Sequence, residues 1–177
     1  MFAPGINDDW MLKTARIVIR ALQVVLGIAA LAIGVATLVV GVDPSWLLKE
    51  LGANPGIDVA RFRWFVIGGL LGGAVLLGLF VLFLQSLHRI IATVGRGDPF
   101  TPDNARRLRE MAWLLLAMQL GAFALELYSD WIGRFVEYVT FDEGLSITAL
   151  LGVLVLFILA RVFQHGAALR SDLEGTV

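Results

Sequence analysis

Four long apolar runs, separated by short segments that hold nearly all of the charge, restrict what this chain can fold into. The runs cover residues 21–42, 65–84, 111–128 and 145–163 of a chain of 177 residues. A helix needs about 20 apolar residues, at about 1.5 Å of rise each, to cross roughly 30 Å of hydrocarbon. The second run has no polar side chain, so it lacks the polar face of a soluble amphipathic helix. The pattern predicts an all-α membrane protein with four transmembrane helices in an antiparallel bundle.

The composition supports this prediction and excludes several other classes of protein. Hydrophobic residues make up 58% of the chain, whereas soluble domains are about 45–50% apolar. The net charge of −1 gives no field that would attract nucleic acid, so no direct nucleic-acid binding is expected. The absence of cysteine excludes disulfides, thiolate nucleophiles and cysteine-ligated metals. The first run exceeds the roughly 7–15 apolar residues of a signal peptide, so we expect it to remain as a span.

The basic residues predict which helix ends face the cytoplasm. Ten of the fourteen lie at the termini or between the second and third spans, and the other four lie in the first and third connections (Lys49, Arg61, Arg63 and Arg134). Short cytoplasmic connections carry an excess of Lys and Arg. We therefore predict a multi-pass protein of the cell inner (plasma) membrane, N-in and C-in, with the lipid bilayer as its surroundings.

The chain is expected to form a single transmembrane domain over residues 1–177. The predicted spans are residues 17–42, 65–87, 111–131 and 145–163, with an outer connection at 43–64, a cytoplasmic connection at 88–110 and a cytoplasmic tail at 164–177. Asp43 and Gly52 suit the two ends of a short helix in the outer connection.

The cytoplasmic connection contains a helix-start pattern. Thr101 is a preferred N-cap residue, Pro102 suits the first helical position, and Asp103 complements the helix dipole. Because no breaker follows, we expect the third helix to begin in the cytoplasm and to run unbroken to about Trp131. The fourth helix is likewise expected to extend into the cytoplasm, to about Ser171.

Small residues form stripes on the first two spans. The stripes are Gly27 and Gly34 in the first span and Gly68, Gly69, Gly72 and Gly73 in the second. Such residues let helix backbones approach closely in lipid. We expect them to pack helices within the bundle. The alternative is a homodimer that forms through the glycine-rich second span.

Glu126 is the one acidic residue well inside a span, and Gln119 lies seven residues before it on the same helix face. Intramembrane acids are costly, and they usually face a partner or mark an ion pathway. Two interpretations stay open. Either Glu126 pairs with an arginine of an outer connection or snorkels to water, or it handles a cation or a proton together with Gln119.

The sequence contains no catalytic or metal-binding pattern. His88 and His165 are the only histidines, and neither belongs to a cluster with metal-ligand spacing. A paired carboxylate and a nucleophile elbow are also absent from the sequence. We therefore expect no enzyme activity, no metal and no cofactor.

Three segments of the sequence resemble a known family. Residues 97–109 read GDPFTPDNARRLR, residues 159–166 read LARVFQHG, and residues 173–177 read LEGTV. These segments are similar to the pattern of a bacterial membrane family catalogued as domain of unknown function 2975. The resemblance implies four spans and no known catalysis.

The resemblance also implies a partner, since members of this family are often encoded beside a small helix-turn-helix transcription regulator. We predict that the chain tethers or sequesters such a regulator at the membrane. The candidate docking residues are Asp98, Pro99, Phe100, Asn104, Arg106, Arg107, Arg109, Thr176 and Val177. For the tail, strand addition to the partner and a solvated segment both stay open. The alternative function is a small transporter or channel subunit built on Glu126 and Gln119.

Overall fold

Four long helices account for almost all of the residues whose structure is known. The structure is a computed structural model that describes residues 6–43, 59–95, 99–133 and 146–174. The helices are α1 (Ile6–Val42), α2 (Val59–Val94), α3 (Pro102–Gly133) and α4 (Ile147–Glu174), and the described ranges contain no strand. Each helix contains a stretch that is long and apolar enough to cross a membrane. The prediction of an all-helical membrane protein with four candidate spans is therefore confirmed.

Helix α3 begins where the sequence pattern predicts. The backbone N–H of Asn104 donates to Oγ1 of Thr101 at 3.2 Å, and the N–H of Ala105 donates to the Thr101 carbonyl oxygen at 3.2 Å. These bonds make Thr101 the N-cap, with Pro102 as the first helical residue. The helix then continues without interruption to Gly133, as expected.

Helix α2 is longer than the span predicted at 65–87, and it takes residues from both flanking connections. It begins at Val59 and ends at Val94, so its 36 residues are roughly 54 Å long. The apolar window defines only the part of a helix that hydrocarbon can hold, whereas the helix itself continues until a breaker. Gly95 follows directly after Val94 and donates its N–H to the carbonyl oxygen of Ile91. The short helix predicted from Asp43 to Gly52 lies outside the described residues, apart from Asp43.

The chain divides into two compact units, each of which is described separately. Unit 1 takes Met1–Val25, Phe80–Leu116 and Ile147–Val177. Its core is a cluster of buried residues from α2, α3 and α4, and the phenylalanines and leucines around it are half-buried. The buried members are Ile90, Leu108, Met111 and Ala160, and the surrounding ones are Phe83, Leu87, Leu156 and Phe163.

Unit 2 takes Leu26–Leu79 and Ala117–Ser146. In this unit, the hydroxyl of Tyr128 donates to the backbone carbonyl oxygen of Phe65 at 2.8 Å. The ring of Trp131 packs edge-on against Phe65, with ring centroids 5.0 Å apart. Arg63 donates from Nη1 to the carbonyl oxygen of Gly41 at 3.4 Å and lies over the ring of Trp64. The hydroxyl of Tyr128 and the guanidinium group of Arg63 thus each bond to a backbone carbonyl of a neighbouring helix in this unit.

The apolar side chains of the spans face mainly outward. In α1, Leu31 and Leu38 are 69% and 71% exposed, and many other large apolar side chains of the four helices are more than half exposed. Soluble monomers rarely expose continuous apolar surface of this extent. Acyl chains, however, are a matching environment for it, so the exposure agrees with membrane-spanning helices.

Candidate functional site

The buried amide of Asn104 organises the turn between α2 and α3. The side chain is 0% exposed, although it lies in a polar, arginine-rich stretch of sequence. Its Nδ2 donates to Oγ1 of Thr93 at 2.7 Å and to the carbonyl oxygen of Pro99 at 2.9 Å. One side chain thus joins the last turn of α2, the turn itself and the first turn of α3. We call Thr93, Pro99, Phe100, Asn104 and Arg107 the turn site.

The direction of each hydrogen bond at Thr93 follows from the numbers of protons and lone pairs on its hydroxyl. A threonine hydroxyl has one proton and two lone pairs. Since Oγ1 of Thr93 accepts from Asn104, its own proton goes to the carbonyl oxygen of Ile90 at 2.7 Å, the shortest acceptor contact it makes. Oδ1 of Asn104 then accepts from Nη1 of Arg107 at 3.0 Å. The amide uses two donors and one acceptor, a combination that a carboxylate does not have.

Phe100 closes the other side of the turn. Its ring packs at a tilt against Phe163 of α4, with centroids 5.0 Å apart. Gly166 makes room for this ring, because a Cβ at that position would lie 2.8 Å from Cδ1 of Phe100. The ring nevertheless remains 43% exposed. Phe100 is therefore fixed on one face and accessible on the other.

Two arginines on the first turns of α3 point outward and have defined partners. Nε of Arg106 lies 3.0 Å from Oε1 of Glu110 in an exposed i, i+4 ion pair, and the Arg106 side chain is 77% exposed. Nη2 of Arg109 donates to Oε1 of Gln164 on α4 at 2.9 Å. The partners restrict the directions of both guanidinium groups, and each of these bonds uses only one of the five N–H donors of its arginine.

The predicted docking residues differ in how far they are exposed. Phe100, Arg106 and Arg109 are exposed, and Pro99 and Arg107 are half-buried. Asn104 is completely buried, which is incompatible with the docking role predicted for it. Its polar side chain suggested a surface residue, but here the amide donates a hydrogen bond to a backbone carbonyl oxygen of the turn. The remaining candidates, Asp98, Thr176 and Val177, lie outside the described residues.

Sequence reasoning did not select Thr93, Phe163, Gln164 and Gly166 as site residues. Their partners are between 11 and 66 positions away in sequence, as in Thr93 with Asn104 and Phe100 with Gly166. No local pattern predicts contacts over such separations. A weak signal existed for Gly166, because a glycine inside a helix is unfavourable unless a close contact requires it.

The intramembrane polar residues lie in unit 2. Oε2 of Glu126 is buried and has no hydrogen-bond partner among the described residues. Ser129 donates to the backbone oxygen of Glu126 at 3.0 Å and not to its side chain. Gln119 is half-buried and precedes Glu126 by seven residues, about 10 Å along the helix axis. Arg134, a predicted partner of Glu126, lies outside the described residues.

The glycine stripes differ between the two helices. A Cβ at Gly68 would lie 2.6 Å from the hydroxyl oxygen of Tyr128, and one at Gly72 would lie 2.5 Å from a methyl of Leu125. A Cβ at Gly69 would also touch Tyr128, whereas no atom of the described residues lies within 4 Å of one at Gly73. On α1, Cβ atoms at Gly27 and Gly34 would likewise meet nothing within 4 Å in the described ranges. The close packing expected at these two glycines is not observed in the part of the chain that the structure describes.

The described ranges contain no group of three or more His, Asp or Glu side chains that is arranged to hold a metal ion. Fold and site together define a multi-pass helical membrane protein with a tightly bonded turn between its second and third helices. A family model described as Protein of unknown function (DUF2975) matches residues 50–177. This match covers more than half of the chain, and the chain belongs to that family. No curated protein and no solved structure matches the chain.

Proposed function

We propose that this chain is a non-enzymatic protein of the cell inner (plasma) membrane that tethers a small helix-turn-helix transcription regulator at its cytoplasmic face. The observation that carries this proposal is the turn site. It holds an exposed aromatic ring, Phe100, on a fixed frame, and Arg106 follows on the first turns of α3 with an exposed guanidinium group. A pre-ordered surface loses little conformational entropy on binding. Aromatic and arginine side chains also supply a large share of binding energy at interfaces.

The proposed topology has antiparallel helices with both termini in the cytoplasm. In unit 2, three contacts link α2 to α3: Phe65 with Tyr128, Gly72 with Leu125, and Leu76 with Gly121. Residue numbers rise along α2 as they fall along α3, which supports an antiparallel pair. The orientation rests on the excess of basic residues at the termini and in the connection between α2 and α3.

Cysteine labelling tests the orientation, since the chain has no cysteine that would interfere. Asp103→Cys places a thiol on the exposed first turn of α3, and Ser146→Cys places one just before α4. We expect a membrane-impermeant maleimide to label Ser146→Cys in intact cells and Asp103→Cys only after permeabilisation. The reverse pattern would reject N-in and C-in.

Site-specific photocrosslinking tests the tether. The photoreactive p-benzoylphenylalanine replaces Phe100 in one variant and Trp64 in a control, since Trp64 is 64% exposed and lies on the side predicted to be outside. We expect a crosslink from position 100, and not from position 64, to a protein that mass spectrometry identifies as a helix-turn-helix regulator. Adding Arg106→Glu to the position-100 variant should lower the yield of this crosslink. Crosslinks to lipid alone, or to the same proteins from both positions, would reject the proposal.

A second candidate function rests on Glu126. Its buried oxygen Oε2 has no hydrogen-bond partner among the described residues, which is costly in an apolar setting, so a bound cation or proton would stabilise it. As a small transporter or channel subunit, the wild type in proteoliposomes would carry a proton or cation flux. Glu126→Gln would abolish that flux, Gln119→Leu would reduce it, and the exposed control Glu110→Gln would retain it. Absence of flux in the wild type would remove this candidate.

The homodimer predicted through the second span stays a prediction. The chain itself already covers Gly68, Gly69 and Gly72, so a dimer contact through this helix would use the open side at Gly73.

A further inference from the structure

Two contacts align one face of α3 with one face of α4 inside unit 1. Arg109 donates to Gln164 at 2.9 Å, and the ring of Trp113 packs edge-on against Phe157 with centroids 5.4 Å apart. Arg161 lies four residues after Phe157 and three before Gln164, which puts it on the same face of α4. We call these five residues the α3–α4 groove.

The change from polar to apolar sequence occurs at the same level on both helices of the groove. On α3 the apolar run begins at Met111, and on α4 Ala160 is the last residue of the fourth run before its first charged residue, Arg161. Met111 and Ala160 belong to one buried cluster. Arg109 and Arg161 therefore lie on the polar side of a common boundary, and Trp113 lies on the apolar side. Arginine above tryptophan is the arrangement found where a helix leaves the hydrocarbon for the headgroup layer.

Among the described residues, the polar groups that the groove leaves available are donors. Arginine has no acceptor, so the oxygen of the Gln164 amide must face Arg109, and the amide NH₂ remains available as a donor. Arg109 uses one of its five N–H groups in this bond, and Arg161 is exposed. Glu110, the nearest acid in sequence, pairs with Arg106, so these two charges offset each other. The groove thus offers two positive charges and several directed N–H groups, which match the oxygens of a phosphate.

The apolar part of the groove indicates where this phosphate comes from. Trp113 is 59% exposed directly below the donors, and its partner Phe157 is half-buried. A free phosphate ion would leave this aromatic surface uncovered, whereas a phospholipid has acyl chains that cover it. We propose that the α3–α4 groove is a binding site for an anionic phospholipid, with its phosphate at Arg109, Arg161 and Gln164 and an acyl chain along Trp113. This site does not depend on the proposed tether.

Quenching of Trp113 fluorescence by brominated lipids measures binding at this position. Trp113 is made the only tryptophan by changing the other four (Trp10, Trp46, Trp64 and Trp131) to phenylalanine. The protein is reconstituted in mixtures of phosphatidylcholine and phosphatidylglycerol in which one of the two carries dibrominated chains. The ratio of quenching by brominated phosphatidylglycerol to quenching by brominated phosphatidylcholine gives the preference for the anionic lipid at the groove. Each basic side chain near an anionic surface contributes a factor of roughly five, so two predict a preference of about 25-fold.

Three variants decide the outcome. Arg161→Gln alters only an exposed side chain, and we expect it to lower the preference about fivefold. Arg109→Gln should lower the preference at least as much, because it also removes the hydrogen bond that orients Gln164. Arg20→Gln, at an exposed position of α1, should leave the preference unchanged. Quenching by brominated phosphatidylcholine, alike in every variant, would show that Trp113 still faces lipid.

Three results would overturn the proposal. One is equal quenching by the two lipids in the single-tryptophan parent. Another is an equal loss of preference in Arg20→Gln, which would mean that net charge alone attracts the lipid. The last is displacement of the anionic lipid by inorganic phosphate at matched ionic strength, which would make the groove a site for the free ion.

Discussion

Replacing Asn104 tests how the turn site is held together. Asn104→Ala removes the two bonds from Nδ2 and the bond that Oδ1 accepts from Arg107, and the change is confined to one buried side chain. We expect the free energy of unfolding to fall by about 2–3 kcal/mol, most of it because the turn between α2 and α3 loses its central bonds.

The magnitude follows from the three bonds. A buried hydrogen bond contributes about 1 kcal/mol net, which gives roughly 3 kcal/mol for the set. Two effects reduce the loss: Arg107 is half-buried and can rehydrate, and alanine is favoured over asparagine in a helix by up to about 0.7 kcal/mol. One effect raises it, since any buried carbonyl left without a donor costs roughly a further 1–3 kcal/mol. Arg106→Ala, which breaks only an exposed i, i+4 pair, should cost about 0.5 kcal/mol or less.

The assay is unfolding by dodecyl sulfate in mixed micelles, followed by tryptophan fluorescence, and a double-mutant cycle isolates one bond. Thr93→Val removes the hydroxyl that accepts from Asn104 while keeping the branched shape of the side chain. We expect a coupling energy of about 1 kcal/mol between Thr93→Val and Asn104→Ala. If the two losses add to within about 0.3 kcal/mol, or if Asn104→Ala costs no more than Arg106→Ala, the proposed role of this amide is wrong.

The same unfolding assay tests three further predictions. Gly68→Ala should lower the free energy of unfolding by about 1–3 kcal/mol because its methyl would displace the Tyr128 hydroxyl, whereas Gly73→Ala should raise it by about 0.5–1 kcal/mol; equal effects would contradict the packing. Gly166→Ala should lower the free energy of unfolding by about 1–2 kcal/mol because the methyl would overlap the Phe100 ring. Phe100→Leu in the same chain should restore part of this loss, and additive effects of the two changes would contradict the contact. Tyr128→Phe should cost about 1 kcal/mol by removing the bond to the Phe65 carbonyl, and no loss would show that the bond contributes nothing.

The helices of this chain could be predicted because their signals are local. Apolar runs of sufficient length indicate spans, and the order Thr101, Pro102, Asp103 contains all the information needed to start α3. The prediction at 65–87 concerned only the apolar span and left the ends of α2 open. Hydropathy reports where a side chain prefers lipid, whereas a helix continues through charged residues such as Arg61 and Arg89 as long as no breaker interrupts it.

The contacts of the candidate site could not be predicted because they join distant parts of the chain. Asn104 lies between charged residues, and in sequence it has the character of a solvated surface residue. Only the arrival of Thr93 from α2 and the carbonyl of Pro99 makes its burial favourable. Likewise, the local sequence gives no reason for a glycine at position 166, because the reason is the ring of Phe100 that packs against it. These are pairings in space, and single-sequence patterns do not contain them.

The residues that carry the family resemblance therefore have mainly structural roles. Pro99 and Asn104 bond to each other, Phe100 packs on Phe163, and Leu108 lies in the buried cluster. A chain with the same residues would be expected to form the same turn whether or not it bound the same partner. The motif is thus an argument for a shared fold, and a function has to be sought in the groups that this turn leaves exposed. Those groups are the open face of Phe100 and the guanidinium groups of α3, and each of the two proposed binding surfaces includes at least one of them.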